Sequence, residues 1–183
     1  MTAAQSKRKY DLSEVLIDEA TLKKRVEELG EEITRDYKGK SIVLIGILKG
    51  SIPFIADLMR NIRLDDLEVD YISVSSYGRS TKSSGVVRIL KDLDSDIKGK
   101  DVIIVEDIID TGLTLAYLKE YFMGRNPGSL KICTLLDKPS RRKVDIRGDY
   151  VGFRVEDRFI VGYGLDVEQR FRNLPFISWI KEE

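Results

Sequence analysis

Two adjacent acids, Glu106 and Asp107, and a third, Asp110, three residues on, interrupt the apolar run that begins Val102-Ile103-Ile104-Val105. Asp110-Thr111-Gly112-Leu113-Thr114 follows directly, a short loop with two hydroxyls and a glycine that opens onto a helix-compatible stretch. A helix N-terminus leaves several backbone N–H groups without internal partners, so such a loop can hold a phosphate. Three carboxylates beside a phosphate would repel it. A hard divalent cation, Mg2+ above all, resolves the conflict by taking oxygen ligands from substrate, water and carboxylate, and ribose hydroxyls can use the remaining acceptors. The stretch therefore suggests a phosphorylated sugar bound with Mg2+. The Gly-x-x-x-x-Gly-Lys-Ser/Thr spacing of a P-loop ATPase is absent.

These groups need a scaffold that presents them together. Val102 to Val105 reads as an interior strand, which puts Glu106 and Asp107 at its carboxyl end, and the helix starting near Thr114 faces the same edge. Open α/β sheets bind ligands there. The grammar of apolar strand, tight turn and helix recurs along the chain. Asp18 can cap a helix with apolar positions Leu22, Val26, Leu29, Ile33 and Tyr37 at spacings of three and four. A strand over 41–48 precedes a helix over about 49–62, with Ser51 and Pro53 in its first turn. Strands at 69–77 and 130–136 and a helix over 113–123, stopped by Gly124, complete the pattern. Fully apolar strands separated by helices imply an α/β fold, a mainly parallel sheet covered on both faces. Residues 78–89, rich in Gly, Ser and charge, break the order as either a mobile lid or a long hairpin.

Composition narrows the chemistry further. With 183 residues, 42% of them hydrophobic, the chain suits one domain with a substantial core. Lys plus Arg equals Asp plus Glu at 31 each, so no global field draws it to nucleic acid or an anionic membrane surface. Histidine is absent, which removes the commonest general base, Ser-His triads and His-ligated metals. Cys133 alone cannot form an internal disulfide framework or a Cys-rich zinc site. The basic start of the chain lacks the apolar core of a signal peptide, and no apolar run approaches the roughly 20 residues of a membrane-spanning helix. A soluble protein in a reducing cytoplasm is expected.

The run VIIVEDIIDTGLTL (102–115) resembles the phosphoribosyl-pyrophosphate signature of type I phosphoribosyltransferases: two acids, two apolar residues, then Asp-Thr-Gly-x-Thr. ILKGS (47–51), SSYG (75–78), LLDKPSRR (135–142) and DRFIVGYGLDVEQRFRNLP (157–175) narrow the resemblance to hypoxanthine-guanine phosphoribosyltransferases of bacterial type, in the family's order over most of the chain. The resemblance implies transfer of a phosphoribosyl group from 5-phosphoribosyl 1-pyrophosphate (PRPP) to a 6-oxopurine, with Mg2+. It implies that Glu106 and Asp107 meet the ribose hydroxyls, that Asp110 is the general base near purine N7, and that Thr111, Gly112, Leu113 and Thr114 hold the 5′-phosphate. Leu113 offers only its amide. Lys49 and Gly50 would bind pyrophosphate, with a Lys-Gly peptide that can be cis, and Arg172 would be a cation near the same group. Lys138 would donate to the purine O6, Phe159 would stack on the base, and Ile160 would read its edge. Asp166 would face the purine site and a second Mg2+, so Glu106, Asp107 and Asp166 are the metal candidates. Ser76 and Tyr77 would belong to a flexible loop closing over the site.

The same resemblance divides the chain into a core of about 38–158 and a hood from about 1–37 and 159–183, and fold analogy suggests a homodimer or homotetramer. Two alternatives stand beside this reading. One is a regulatory protein of the same fold that binds RNA or nucleotide, weakly supported by the RRK cluster at 141–143. The other is a transferase preferring xanthine or another acceptor, since Lys138 and Phe159 suit any 6-oxopurine.

Overall fold

A computed structural model describes residues 10–76 and 87–182. Tyr77, together with most of the 78–89 segment, lies outside them, and Ser76 is described only as the end of a strand. In chain order the strands are β1 (Tyr10–Ile17), β2 (Ile42–Leu48), β3 (Leu67–Ser76), β4 (Val87–Lys91), β5 (Asp101–Ile109), β6 (Ser129–Asp137), β7 (Tyr150–Arg154), β8 (Ile160–Val161) and β9 (Ile177–Glu182). The helices are α1 (Glu19–Asp36), α2 (Ile52–Asn61) and α3 (Leu113–Met123). Among the described residues no helix is long and apolar enough to cross a membrane.

The larger sheet has the order β4-β3-β2-β5-β6-β7. Every pairing in it is parallel except β3 with β4. The apolar runs fix this arrangement because both faces are covered. In β2, Ile42 and Leu44 join Ile103 and Val105 of β5 in a cluster with α1 and α2, while Val43, Ile45 and Ile47 join Val102 and Ile104 in a second cluster with α3. Side chains alternate between faces along a strand, so a two-sided core requires an unbroken apolar run. Each such side chain, fully buried, contributes about 1.5–3 kcal/mol.

Asp18 caps α1 as its position predicts, its carboxylate accepting from Thr21 N at 2.7 Å. The apolar stripe of α1 lies in the cluster it shares with β2, α2, β5 and β6. The helix thus packs on the large sheet, although the division drawn from sequence put it with the hood; five buried positions, Leu22, Val26, Leu29, Gly30 and Ile33, demand a broad apolar partner. A second, antiparallel sheet has the order β1-β9-β8. β3 and β4 pair as an antiparallel ladder, with Ser76 opposite Val87. A cis peptide does occur at the end of β2, but between Leu48 and Lys49, one bond before the Lys-Gly bond raised from sequence.

Candidate active site

The carboxyl edge of the large sheet gathers most of the residues singled out above. β5 runs on to Ile109, two residues past Asp107, so both acids are strand residues rather than loop residues. Asp107 is buried, and Glu106 is partly so. Burial pushes the Glu106 carboxyl well above its ordinary range, and the neighbouring Asp107 charge adds to the shift. Burial also raises Asp107, against the Ile108 amide that it accepts at 2.8 Å and the charge of Arg172. Burial therefore disfavours negative charge on both acids, a cost that a bound cation would offset.

Gly50 makes room for Asp107. A Cβ on Gly50 would stand 1.6 Å from Asp107 Oδ2, and one on Gly164 would stand 1.9 Å from the Gly50 carbonyl oxygen. Gly164, at φ 101°, can make that approach because glycine tolerates the left-handed region. Next to Gly50, Lys49 is exposed at the end of β2, and buried Ser51 starts α2, donating its hydroxyl to Ile47 O at 2.6 Å.

Gly112 caps α3 in the left-handed region, φ 81°, with Ile146 filling the space where a Cβ would point. Ala116 N makes the helix's first internal bond, to Gly112 O at 2.9 Å. The amides of Thr114 and Leu115 thus precede the hydrogen-bonded ladder, while Leu113 N makes a long bond to Thr111 Oγ1 at 3.5 Å; a helix start of this kind can hold an anion. A cavity of about 250 Å³ lies in front of these amides, lined by Glu106, Asp110, Thr111, Gly112 and Thr114 among others. A larger cleft of about 960 Å³ sits at the opposite edge, where Arg35 and Lys38 lie at the C-terminal end of α1. Cations there offset the helix dipole, and none of the acid-rich site lines it.

On the neighbouring strand, Lys138 follows β6 and is buried, with its Nζ donating to Arg158 O at 2.6 Å and its amide to Ile109 O at 3.0 Å. Burial lowers its pKa, with Arg141 adding to the effect and Asp110 and Asp157 opposing it. Phe159 presents its ring to solvent, 55% exposed, beside Ile160, which is buried in β8. A large exposed aromatic next to a buried cation is suited to stacking a planar ligand. Arg172 and Asp166 form an ion pair at 2.7 Å, Arg172 Nη1 donates to Gly164 O at 2.6 Å, and Asp166 accepts from Gln169 N at 2.8 Å. Among the described residues, Arg172 Nε is buried without a hydrogen-bond partner.

Three features were missed in the sequence. Arg141 Nε donates to Asp110 Oδ1 at 2.9 Å, and Arg142 donates both to Asp110 O at 2.8 Å and to the Asp137 carboxylate. Tyr163 donates to Asp57 Oδ2 at 2.6 Å, tying the Gly162–Gly164 turn to α2. The RRK cluster, read as weak support for RNA binding, has two of its cations turned onto the Asp110 loop. No local signal in the sequence pairs Arg142 with Asp137 and Asp110; only the fold brings them together.

Among the described residues no three His, Cys, Asp or Glu side chains converge as a ready metal cage. The donor set still fits Mg2+, which is commonly bound through one or two carboxylates and completes its shell with water and substrate phosphates. Glu106 and Asp107 are two oxygen donors whose burial disfavours their charge, and a cation would offset this.

The family model for the phosphoribosyl transferase domain matches residues 14–168. The chain belongs to that family. A hypoxanthine-guanine phosphoribosyltransferase of Bacillus subtilis (strain 168) is 55% identical over 173 residues, covering 94% of this chain and 96% of the relative. A hypoxanthine phosphoribosyltransferase of Salmonella typhimurium is 54% identical over 167 residues, covering 90% and 93%. A crystal structure of a hypoxanthine-guanine phosphoribosyltransferase from Bacillus anthracis, with HEPES in its active site, superposes with a TM-score of 0.88 at 51% identity, covering 94% of this chain and 99% of that one. In this phosphoribosyl transferase domain the acids of β5, the amides opening α3 and the cation after β6 share one sheet edge.

Proposed function

We propose that this chain is a purine salvage enzyme that transfers the 5-phosphoribosyl group of PRPP to N9 of hypoxanthine or guanine, forming IMP or GMP and releasing pyrophosphate. The observation that carries the proposal is the acid pair of partly buried Glu106 and buried Asp107 beside the N-terminal amides of α3, with the buried ammonium of Lys138 one strand away.

In this reading Thr111, Gly112, Leu113 and Thr114 grip the 5′-phosphate, chiefly through amides and threonine hydroxyls. Glu106 and Asp107 orient the ribose hydroxyls and, with Asp166, would hold Mg2+. When bound, Mg2+ supplies charge neutralisation for the pyrophosphate. Lys49, Gly50 and Arg172 receive the leaving group from the other side, two of them by charge and Gly50 by its backbone. Lys138 donates to O6 of the base. An ammonium donates to a carbonyl but cannot accept from an amino group, so 6-oxopurines are preferred over adenine. Phe159 stacks on the base while Ile160 meets its edge.

Charge develops on two centres during transfer. The ribose becomes oxocarbenium-like, which nearby carboxylates stabilise, and the pyrophosphate gains negative charge. Asp110 accepts the N7 proton as N9 becomes nucleophilic, and its contact with Arg141 would have to open for that purpose. Ser76 and Tyr77 would close over the reacting groups and exclude water. The β1-β9-β8 sheet with its loops would be the hood over the base, the large sheet the core. A homodimer or homotetramer in the cytoplasm completes the proposal, in keeping with a single free cysteine that is buried.

The deciding experiment incubates the purified protein and MgCl2 with PRPP and, separately, hypoxanthine, guanine, xanthine and adenine, with an EDTA control. Nucleotide and pyrophosphate formed with hypoxanthine or guanine, and lost with chelator, are expected. No product with any base would overturn the assignment, and a preference for xanthine would move the acceptor.

A further inference from the structure

The turn that follows Lys138 is fastened to the phosphate loop at four points. Lys138 N donates to Ile109 O and Lys143 N to Thr111 O, both at 3.0 Å, Arg141 Nε to Asp110 Oδ1 at 2.9 Å, and Arg142 Nη1 to Asp110 O at 2.8 Å. Within the turn, Arg141 N donates to Lys138 O at 3.2 Å, so residues 138–142 form one hydrogen-bonded unit.

Arg141 also reaches past the loop, from Nη1 to Asp157 Oδ2 at 3.4 Å, whereas Arg142 reaches back to the strand end that carries Lys138. Its second nitrogen, Nη2, donates to the carboxylate of Asp137, the residue before Lys138. Its stem lies on the phosphate loop, with Cδ 3.1 Å from where a Gly112 Cβ would stand. The pair is largely out of water, with side-chain exposures of 15% for Arg142 and 11% for Asp137. A buried ion pair is poor evidence of stabilisation, because an apolar replacement of similar volume is often as stable. Its placement points to position instead. A rigid guanidinium fork can donate to two acceptors in fixed directions, which a lysine's single nitrogen does less well.

We propose that Arg142 is a positioning residue that couples the two substrate sites. By holding the Asp110 carbonyl to the strand end that carries Lys138, it makes ordering of the phosphate loop order the base-reading lysine as well. Linkage requires the reverse effect in equal measure: a bound purine must tighten the loop's hold on the sugar phosphate. This coupling rests on the phosphoribosyl-transfer reading above.

The test uses a 9-deaza-6-oxopurine, which has carbon in place of the nucleophilic N9 and so binds without reacting by that route. Its dissociation constant is measured for the full chain with MgCl2, in the presence and absence of PRPP. For the unaltered protein PRPP is expected to tighten the analogue by a factor in the usual range of about 5–150. In Arg142→Lys, which keeps a cation beside Asp137 but loses the fork, the factor is expected to fall to about threefold or less, with each ligand's separate affinity much less affected.

Asp137→Asn/Arg142→Met guards against simple misfolding. It removes both charges at once, leaves no buried ion unpaired, and is expected to lose the same factor. A purine affinity that still responds to PRPP as in the unaltered protein, in either folded variant, overturns the coupling role even if the melting temperature has dropped. An unaltered protein whose analogue affinity ignores PRPP overturns it too. An unaltered protein that makes no nucleotide from any purine overturns the transfer reading instead.

Discussion

Gly50→Ala isolates the packing of the turn after β2, proposed above to receive the leaving group, against Asp107. Gly50 is outside the left-handed region, so alanine meets no backbone penalty there and the effect is one of space. The added carbon would stand 1.6 Å from Asp107 Oδ2 and 2.6 Å from Cγ, where carbons of real side chains do not come closer than 3.0 Å. The carboxylate, or the loop, must retreat by at least about 1.4 Å. Gly164, against the Gly50 carbonyl, limits the loop's retreat, so the burden falls on Asp107. A misplacement of ~1 Å at a reacting centre can cost ~10²-fold, and each tenfold is ~1.36 kcal/mol of barrier. Turnover per KM for PRPP should therefore fall by at least about 100-fold, or ~2.7 kcal/mol. Overpacking should lower stability by about 1–3 kcal/mol, leaving the protein folded for assay. Steady-state rates with PRPP and hypoxanthine in saturating MgCl2, alongside melting curves, make the measurement. Gly124→Ala serves as control, since a Cβ there would stand 3.4 Å from Tyr121 O, in ordinary contact. A Gly50→Ala enzyme within threefold of the parent would refute the argument that Asp107 is positioned by the absence of that carbon.

Other expectations concern the titrating groups. Asp110→Asn should cut turnover by ~10²–10⁴-fold with PRPP binding largely kept, as for loss of a positioned general base; unchanged turnover removes Asp110 from that role. Because Lys138 is held below the ordinary lysine range by burial, hypoxanthine binding should weaken as pH rises through that lowered pKa, and Lys138→Arg should move this alkaline limb upward. A binding profile that is the same for both proteins would contradict it. Glu106 and Asp107 have folded pKa values raised by burial, so the ligand-free protein binds more protons than its unfolded chain above the ordinary carboxylate range. Stability should consequently fall as pH rises from that range through the raised values, and Glu106→Gln should melt higher than the parent at pH 7 while losing activity. A lower melting temperature for that variant across the whole pH range would count against the buried-charge account.

The sheet was legible because burial on two faces leaves a visible trace. Ile42 to Leu48 and Val102 to Val105 are apolar at successive positions, which few structures besides an interior strand explain, and Asp18 with Thr21 behaves as a cap by purely local chemistry. The loop proposed to hold the phosphate was legible as a loop opening a helix because its glycine, hydroxyls and helix start are contiguous. Strands β8 and β9 left no comparable trace, since β8 spans two residues and its pairing with β9 reaches Trp179 and Ser178 across the intervening loop. Arg142 was misread because an exposed-looking basic run and a buried clamp have identical sequences until Asp137 and Asp110 are brought alongside. Contacts made at long sequence separation are those that periodicity cannot express.

The pairing of β1 with β9, from Tyr10 opposite Glu182 to Ile17 opposite Ile177, bears on how the protein is made. A chain emerging from the ribosome can assemble the large sheet as its strands appear, since domains tend to form from the N-terminal side during synthesis. β1 must wait. Its partner is the last described element to be translated, and the Gly162–Arg172 stretch that rests on Gly50 precedes that partner by only a few residues. A nascent chain halted before β9 would carry the acids of β5 and the amides of α3 but an unclosed small sheet, so competence for the reaction should arrive abruptly, only once β9 has emerged to pair with β1.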